Sequence, residues 1–526
     1  MRNFHRPGRS PVYAKNAAIA TSHPLASEVG LGILRAGGNA VDAAIAACAT
    51  MCVVEPAMTG IGGDCFALYA PKGASKPIAM NGSGKAPAGA TPEALRAKGV
   101  SIIPGDSPHS VTIPGAIAAW TKLNADYGSM SMADILAPAI KYAEEGYPVY
   151  PKVGTDWIKL TPGLLNDAVS RENMLINGKA PAIGTMHAQP KLGATMRKIA
   201  AEGRDGFYTG EVAEDLANRL QGLGGVHTVD DFAAADAEYV EPITTNYLGH
   251  DIYECPPNGQ GICALILLNI LSGFDVASMS EVQRIHIMAE ATKLAYRQRD
   301  LYVSDPKYTD VHADWLLSAE HADGLRAMID PQRAGNFHNS DFPTHKDTIY
   351  MCCVDEQGNA MSFINSLFAG FGSFIQGEKS GVMLHNRGMS FNLTDGHANV
   401  IAPGKRPMHT IIPGMAFKDG KVAAPFGVMG GHYQSTGHAT FLANRLALDM
   451  DPQEAIDAPR HFAREGMLQV ENTIDPETNA ALEALGHELE HMPGPIGGGQ
   501  TVWIDHENGL LIGGSDPRKD GCSMGY

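Results

Sequence analysis

Residues 347–354 read Asp347-Thr348-Ile349-Tyr350-Met351-Cys352-Cys353-Val354, and the chain is best understood outward from the first peptide bond of that run. Before it lies a polar, breaker-rich stretch, Pro331-Gln332-Arg333-Ala334-Gly335-Asn336, then Asp341-Phe342-Pro343-Thr344-His345-Lys346. After it the sequence turns apolar and strand-like. Taken alone, Thr348 is most simply a β-forming residue that opens a strand. A cut before it would instead make it a new N-terminus. Its hydroxyl would then be a nucleophile and its own α-amine the base. An α-amine titrates near pH ~8, so a useful fraction is neutral at pH 7. The residues around the junction have to choose between the two readings.

Composition narrows the field. At 526 residues the chain suits two or three average domains, or one large layered domain with insertions. Its 44% hydrophobic content, 59 glycines and 33 prolines describe a loop-rich globular protein rather than a disordered one. The net charge of −17, with no basic block, argues against nucleic acid or an anionic membrane as partner. Such a field does not exclude an anionic substrate, because a local arginine dominates a small pocket. No apolar segment follows the charged start Met1-Arg2-Asn3-Phe4-His5-Arg6, so no signal peptide is expected. The eight cysteines are scattered without a Cys-x-x-Cys pair, which suggests reduced thiols and a cytoplasmic protein.

Periodicity predicts two helices between Thr21 and Val54, broken at Gly37-Gly38. The turn Thr59-Gly60-Ile61-Gly62-Gly63-Asp64 then leads into a strand over 65–70. The middle, about 115–330, reads as mainly helical. Beyond Thr348 the texture is hairpins. One pair of strands flanks Asp355-Glu356-Gln357-Gly358-Asn359, and another flanks Asp419-Gly420. Gly430-Gly431 precedes a helix through Leu442 and Leu446. The expected class is α+β, helices packed on antiparallel sheets.

His487-Glu488-Leu489-Glu490-His491 matches the zinc-protease pattern H-E-x-x-H, which works only on a helix. Gly486 before it and Pro493-Gly494-Pro495 after it leave no room for one. A strand is expected there, with no metal and no cofactor. The glycine clusters at 60–63 and 497–499 lack the strand–loop–helix frame of a nucleotide site.

Several ordered segments together resemble the γ-glutamyltransferase family of N-terminal nucleophile hydrolases. They are Ala20-Thr21-Ser22-His23-Pro24-Leu25-Ala26, Gly37-Gly38-Asn39-Ala40-Val41-Asp42-Ala43-Ala44, Gly60-Ile61-Gly62-Gly63-Asp64 and Pro256-Pro257-Asn258-Gly259. Gly404-Lys405-Arg406-Pro407, Gly430-Gly431 and Gly513-Gly514-Ser515-Asp516-Pro517-Arg518 extend the likeness to the end of the chain. The resemblance implies a four-layer αββα sandwich and a proenzyme that cleaves itself between Asp347 and Thr348. The products would be a large chain, 1–347, and a small chain, 348–526, folded together as one αβ heterodimer, with pairing into a heterotetramer left open. It implies Thr348 as nucleophile, the Gly430 and Gly431 amides as oxyanion donors, and Ser366 as a supporting hydroxyl.

The chain departs from the γ-glutamyl pattern where glutamate would be held. Ser83 stands at the family's carboxylate-binding arginine, and Phe368 replaces a polar amide. Ser390 or Met389 lies where an acidic residue holds the substrate amine, and His409-Thr410 replaces paired serines. The chain gains Arg387, beside Asn386, and also His409 and His432. Arginine binds a carboxylate through two parallel hydrogen bonds. These changes resemble the acylase and amidohydrolase branch, and within it the members that hydrolyse oxamate to oxalate and ammonia in purine and allantoin nitrogen catabolism. Arg387, His409, Thr410, His432 and Asn386 are the expected substrate-binding residues. γ-Glutamyl transfer or hydrolysis, glutaryl-type acylase activity, and an uncut relative without turnover remain the alternatives.

Overall fold

The computed structural model describes residues 8–337 and 348–526. Asp347, the expected cleavage residue, lies outside the described residues. Two seven-stranded antiparallel sheets form the centre. The first runs, in spatial order, Val12–Ala14, Leu510–Ser515, Gly498–Asp505, Lys421–Met429, Gly414–Lys418, His250–Glu254 and Ile243–Tyr247. The second runs Cys522–Gly525, Ala18–Thr21, Ile349–Val354, Ala360–Ser366, Asp64–Ala70, Ile78–Gly82 and Glu238–Val240. In both, strands from before and after the 347/348 junction are neighbours. Ala18–Thr21 in particular is held between the last strand of the chain and the one that follows Thr348.

Three apolar layers follow from this arrangement. Phe66, Leu68, Tyr350, Ile364, Met415 and Phe417 fill the space between the sheets. Helices Pro24–Arg35 and Ala40–Val54 cover the outer face of the second sheet, and Met132–Glu145 packs on Ala40–Val54. Helices Gly261–Leu271 and Gln434–Leu442 cover the first, and Glu281–Tyr302 packs on Gly261–Leu271. The result is the expected αββα stack, in which each sheet buries both faces. This explains why so many of its strands are apolar throughout rather than alternating.

Local chemistry accounts for the elements that place the site. Asn39 and Asp42 form a capping box that starts helix Ala40–Val54. Asp355 closes its hairpin by accepting from Gln357 N and Asn359 N, and also accepts from Ala40 N at 2.9 Å. One carboxylate thus fixes the turn after Thr348 onto a helix N-terminus. Asp419 and Gly420 both have positive φ, 51° and 71°, which a two-residue hairpin with this hand of twist requires.

Most expected elements are present: Pro24–Arg35, Ala40–Val54, Asp64–Ala70, the hairpin Ile349–Val354/Ala360–Ser366 and the hairpin Gly414–Lys418/Lys421–Met429. Glu488–His491 is a strand, so the H-E-x-x-H pattern has no helix. The middle of the chain needs correction. It is not only helical, since Glu238–Val240, Ile243–Tyr247 and His250–Glu254 supply one edge of each sheet. Their signal was the β-branched run Ile243-Thr244-Thr245 before a Leu248-Gly249 turn, overshadowed by the helical patterns on either side. Among the described residues no helix is long and apolar enough to cross a membrane.

Glu55, just after helix Ala40–Val54, is 3% exposed. Burial lifts its carboxyl to about 7, partly offset by the Ser22 hydroxyl at 2.5 Å and by Lys519. An unfolded glutamate titrates near ~4.3. The fold therefore prefers the neutral acid. That contribution is full below about pH 4 and is lost as pH rises through about 7, on the order of 3 kcal/mol in all. Glu55→Gln is expected to flatten the fall in urea-unfolding free energy between pH 5 and 9; an unchanged slope would place the titrating group elsewhere.

Candidate active site

Thr348 is fully buried where it enters strand Ile349–Val354. Its Oγ1 lies 3.0 Å from Ser366 Oγ, at the end of the adjacent strand. Ser366 Oγ in turn accepts from Phe368 N at 2.8 Å. That backbone bond holds Ser366 Oγ against Thr348 Oγ1, and either hydroxyl of the pair can be the donor. Phe368 has φ of 79°, a conformation that side chains other than glycine rarely adopt. The Ser366 bond helps to hold that turn.

The turn brings Phe368 under Arg387. The guanidinium carbon lies 3.8 Å from the ring centroid, a stacked cation–π contact. Arg387 is 0% exposed, and its Nη1 donates to Thr410 Oγ1 at 2.8 Å. Its Nε and Nη2 have no hydrogen-bond partner among the described residues. These two N–H groups form one edge of the guanidinium, the edge that takes a carboxylate two-pronged. Burial pulls this group down to about 9, against the opposing pull of Asp64. Two open donors on a buried cation are costly unless an anion meets them.

Asp64 organises the wall behind. Its Oδ1 accepts from Gly84 N at 2.9 Å and Gly115 N at 3.2 Å. Its Oδ2 accepts from His409 Nε2 at 2.9 Å, with His385 Nδ1 at 3.7 Å. Burial opposes ionisation, yet the two histidines, the hydrogen bond and the Arg387 charge hold the carboxyl well below its usual range. His409 is itself kept neutral, pushed down to about 3 by burial and by Arg387.

Gly430 and Gly431 follow strand Lys421–Met429 with φ of 129° and 61°. A side chain at Gly430 would lie 2.9 Å from Gly497 Cα, so both conformation and space require glycine. Neither amide donates a hydrogen bond to any described residue. A short 3₁₀ turn then runs into helix Gln434–Leu442, whose positive end faces this loop.

The sequence-predicted residues thus divide. Thr348 with Ser366, and Arg387 with Thr410, meet in pairs. His409, expected to touch substrate, has Nε2 on Asp64 and Nδ1 accepting from Ile411 N at 3.3 Å, so it serves the wall. Asn386 is likewise committed: its Oδ1 accepts from Ala369 N and its Nδ2 donates to Gly105 O. His432 Nδ1 accepts from Arg299 Nη1 at 2.8 Å, which ties that ring to a buried arginine. Sequence reasoning missed Asp64 as the hub. Asp64 closes the Gly60-Ile61-Gly62-Gly63 turn, and its donors come from segments that only folding brings to it.

The model of the family described as Gamma-glutamyltranspeptidase matches residues 26–526, and the chain belongs to that family. It is an N-terminal nucleophile-type hydrolase acting on amide bonds. The chain superposes on a cephalosporin acylase from Bacillus halodurans with a TM-score of 0.94 at 39% identity, covering 100% of this chain and 99% of that one. It is 34% identical to a glutathione hydrolase-like YwrD proenzyme of Bacillus subtilis, over 96% of this chain and 98% of the relative. It is also 34% identical to an oxamate amidohydrolase proenzyme of Klebsiella pneumoniae, over 98% and 99%.

Among the described residues one group has metal-ligand chemistry: His286, Glu290 and His487, all buried. Their polar atoms are already paired with one another and with the chain. His286 Nδ1 meets His487 Nε2 at 2.8 Å, and His286 Nε2 meets Asp330 O. Glu290 is neutralised by Lys293 Nζ at 2.6 Å and accepts from Gly335 N. A divalent ion would leave excess positive charge in a buried place, so these donors do not fit one. Dialysis against EDTA is expected to leave the melting temperature unchanged; a drop of several degrees, restored by zinc, would contradict that assignment.

Proposed function

We propose that this chain is a precursor that cuts itself between Asp347 and Thr348, and that the resulting chains, 1–347 and 348–526, remain together as an amidohydrolase. Both relatives described as proenzymes support processing. Thr348 then carries nucleophile and base in one residue. Its α-amine takes the hydroxyl proton while Oγ1 attacks the substrate amide carbonyl. The carbonyl electron pair moves to oxygen, where the Gly430 and Gly431 amides receive it; one such donor is typically worth ~2.7–4 kcal/mol. Collapse expels the amine, which leaves with the proton, and gives an ester on Thr348. Water, deprotonated by the same α-amine, releases the acid. Ser366, hydrogen-bonded to Thr348, steadies the developing alkoxide. Activity should rise with pH through the amine titration near ~8.

The observation that carries the substrate reading is the open Nε/Nη2 edge of Arg387, buried and braced between Phe368 and Thr410. It suits the carboxylate of a small acidic amide, and oxamate, cleaved to oxalate and ammonia, is the preferred substrate. A glutaryl-type acyl group is the second reading, favoured by the likeness to the cephalosporin acylase, since Arg387 would hold the far carboxylate of a longer dicarboxylic acid equally well. γ-Glutamyl substrates are disfavoured. Their ammonium needs an anion, and Asp64 is already engaged by two backbone amides and His409.

Three outcomes test this. Purified wild-type protein should give two chains that break before Thr348 in place of one of 55.8 kDa, and Thr348→Ala should stay whole. Ammonia release from oxamate should exceed amine release from glutaryl and γ-glutamyl anilides; the reverse order would transfer the substrate reading to the faster of those. Arg387→Leu should lower kcat/KM for the anionic amide at least ~30-fold, equivalent to about 2 kcal/mol, and spare a neutral amide. Equal losses on both would remove Arg387 from substrate recognition.

A further inference from the structure

The oxyanion loop and the carboxylate site lie on different segments, and one side chain touches both. Gln260, fully buried, follows Pro256-Pro257-Asn258-Gly259. Its Nε2 donates to the carbonyl of Thr410 at 2.8 Å and to the carbonyl of Gly431 at 3.0 Å. Its backbone N also donates to His409 O at 2.8 Å. Its Oε1 accepts from Arg299 Nη1 at 3.0 Å. The same Arg299 nitrogen donates to His432 Nδ1, Arg299 is paired with Asp300 at 2.6 Å, and Tyr296 OH donates to His432 O. Arg299 fixes the direction of the amide. With Oε1 facing a guanidinium, Nε2 must face the two carbonyls, and the flipped amide would set N–H against N–H.

We propose that Gln260 is a positioning residue that couples the two halves of the site. It holds the Gly431 peptide so that the neighbouring amides stay aimed at the oxyanion, and it holds Thr410 so that its hydroxyl stays under Arg387. The residue touches no reacting atom. Its effect passes through Gly431 to the rate of acyl transfer and through Thr410 to the binding of the substrate carboxylate. A change at Gln260 therefore moves kcat and KM together, whereas Thr410→Val moves chiefly KM. This inference rests on the proposed role of the Gly430 and Gly431 amides.

Gln260→Glu tests it without changing shape. Ionised, the new carboxylate still meets Arg299 but turns a bare oxygen towards two carbonyls, and the loop is pushed away. Protonated, it regains one O–H donor for those carbonyls. The groups that bear on it are Arg299 and Asp300, with His432 and the neutral His409 beside them. The expected result is a kcat at least tenfold below wild type at pH 8.5, with the ratio of variant to wild type recovering as pH falls to 6. Taking the ratio removes the titration of the Thr348 amine, which both proteins share. Gln260→Met, apolar and of similar length, should show the loss without the recovery. For Gln260→Glu, a ratio near one at every pH would overturn the proposal, as would a loss of the same size at every pH in a folded protein, which marks a packing role. Failure of the underlying mechanism looks different: wild type itself then stays uncut and releases no amine.

Discussion

A carboxylate shut away from water is the constraint from which the site is built. Asp64 stands at the first position of its strand, directly across from Ser366 in the sheet register. Ionised and buried, it demands donors, and it draws them from separate parts of the chain: Gly84, Gly115 and His409. Those bonds fasten the loop after strand Ile78–Gly82, the start of helix Ala116–Tyr127 and the segment before strand Gly414–Lys418 around one point. Arg387 can then remain charged in the same dry region because Asp64 supplies the opposite sign nearby. Removing that carboxylate would leave a buried cation and three groups without their shared partner.

The Thr348 end depends on tighter geometry. Ser366 serves three features together: it ends a strand, faces Thr348 and restrains the unfavourable backbone of Phe368. Close approach recurs there. A side chain at Gly63 would meet Ser366 O at 2.3 Å, and one at Gly427 would meet the Tyr350 ring at 2.4 Å. The glycine-rich motifs of this chain are places where the sheets and their loops come within contact distance. That is why they resemble nucleotide loops in sequence and not in structure.

Much of the fold was legible because its signals are local. Helical spacing fixed Pro24–Arg35 and Ala40–Val54, and Asp419-Gly420 fixed a hairpin. In the strands over 238–254 the local hairpin signal was overshadowed by helical patterns on either side, while Glu238–Val240 and the outer side of His250–Glu254 take partners far along the chain. In the site, Thr348, Ser366, Arg387 and Thr410 were named from motif positions, and the structure brings them together in pairs. His409 and Asn386, expected to meet substrate, have their hydrogen bonds taken up within the chain. Residue type shows that a side chain can hydrogen-bond, but not that its bonds are already spent on Asp64 or on backbone. Gln260 gave no warning in sequence, since an amide acquires its role only when carbonyls from two distant segments converge on it.

The braided order of the second sheet has a consequence for how the molecule persists. Its order mixes strands from before and after the 347/348 junction, with Ala18–Thr21 between two strands from after it, and Tyr526 O accepts from the backbone of Asn16 and Ala17. If the junction is cut, neither piece keeps a whole sheet of its own. Separation would then expose unpaired strand edges along the full height of the sandwich. Unfolding would become a dissociation, its reversal second order in concentration, and the uncut precursor is the only form in which the two pieces meet as one molecule. A mature molecule of this kind lasts by the slowness of its coming apart rather than by its capacity to re-form.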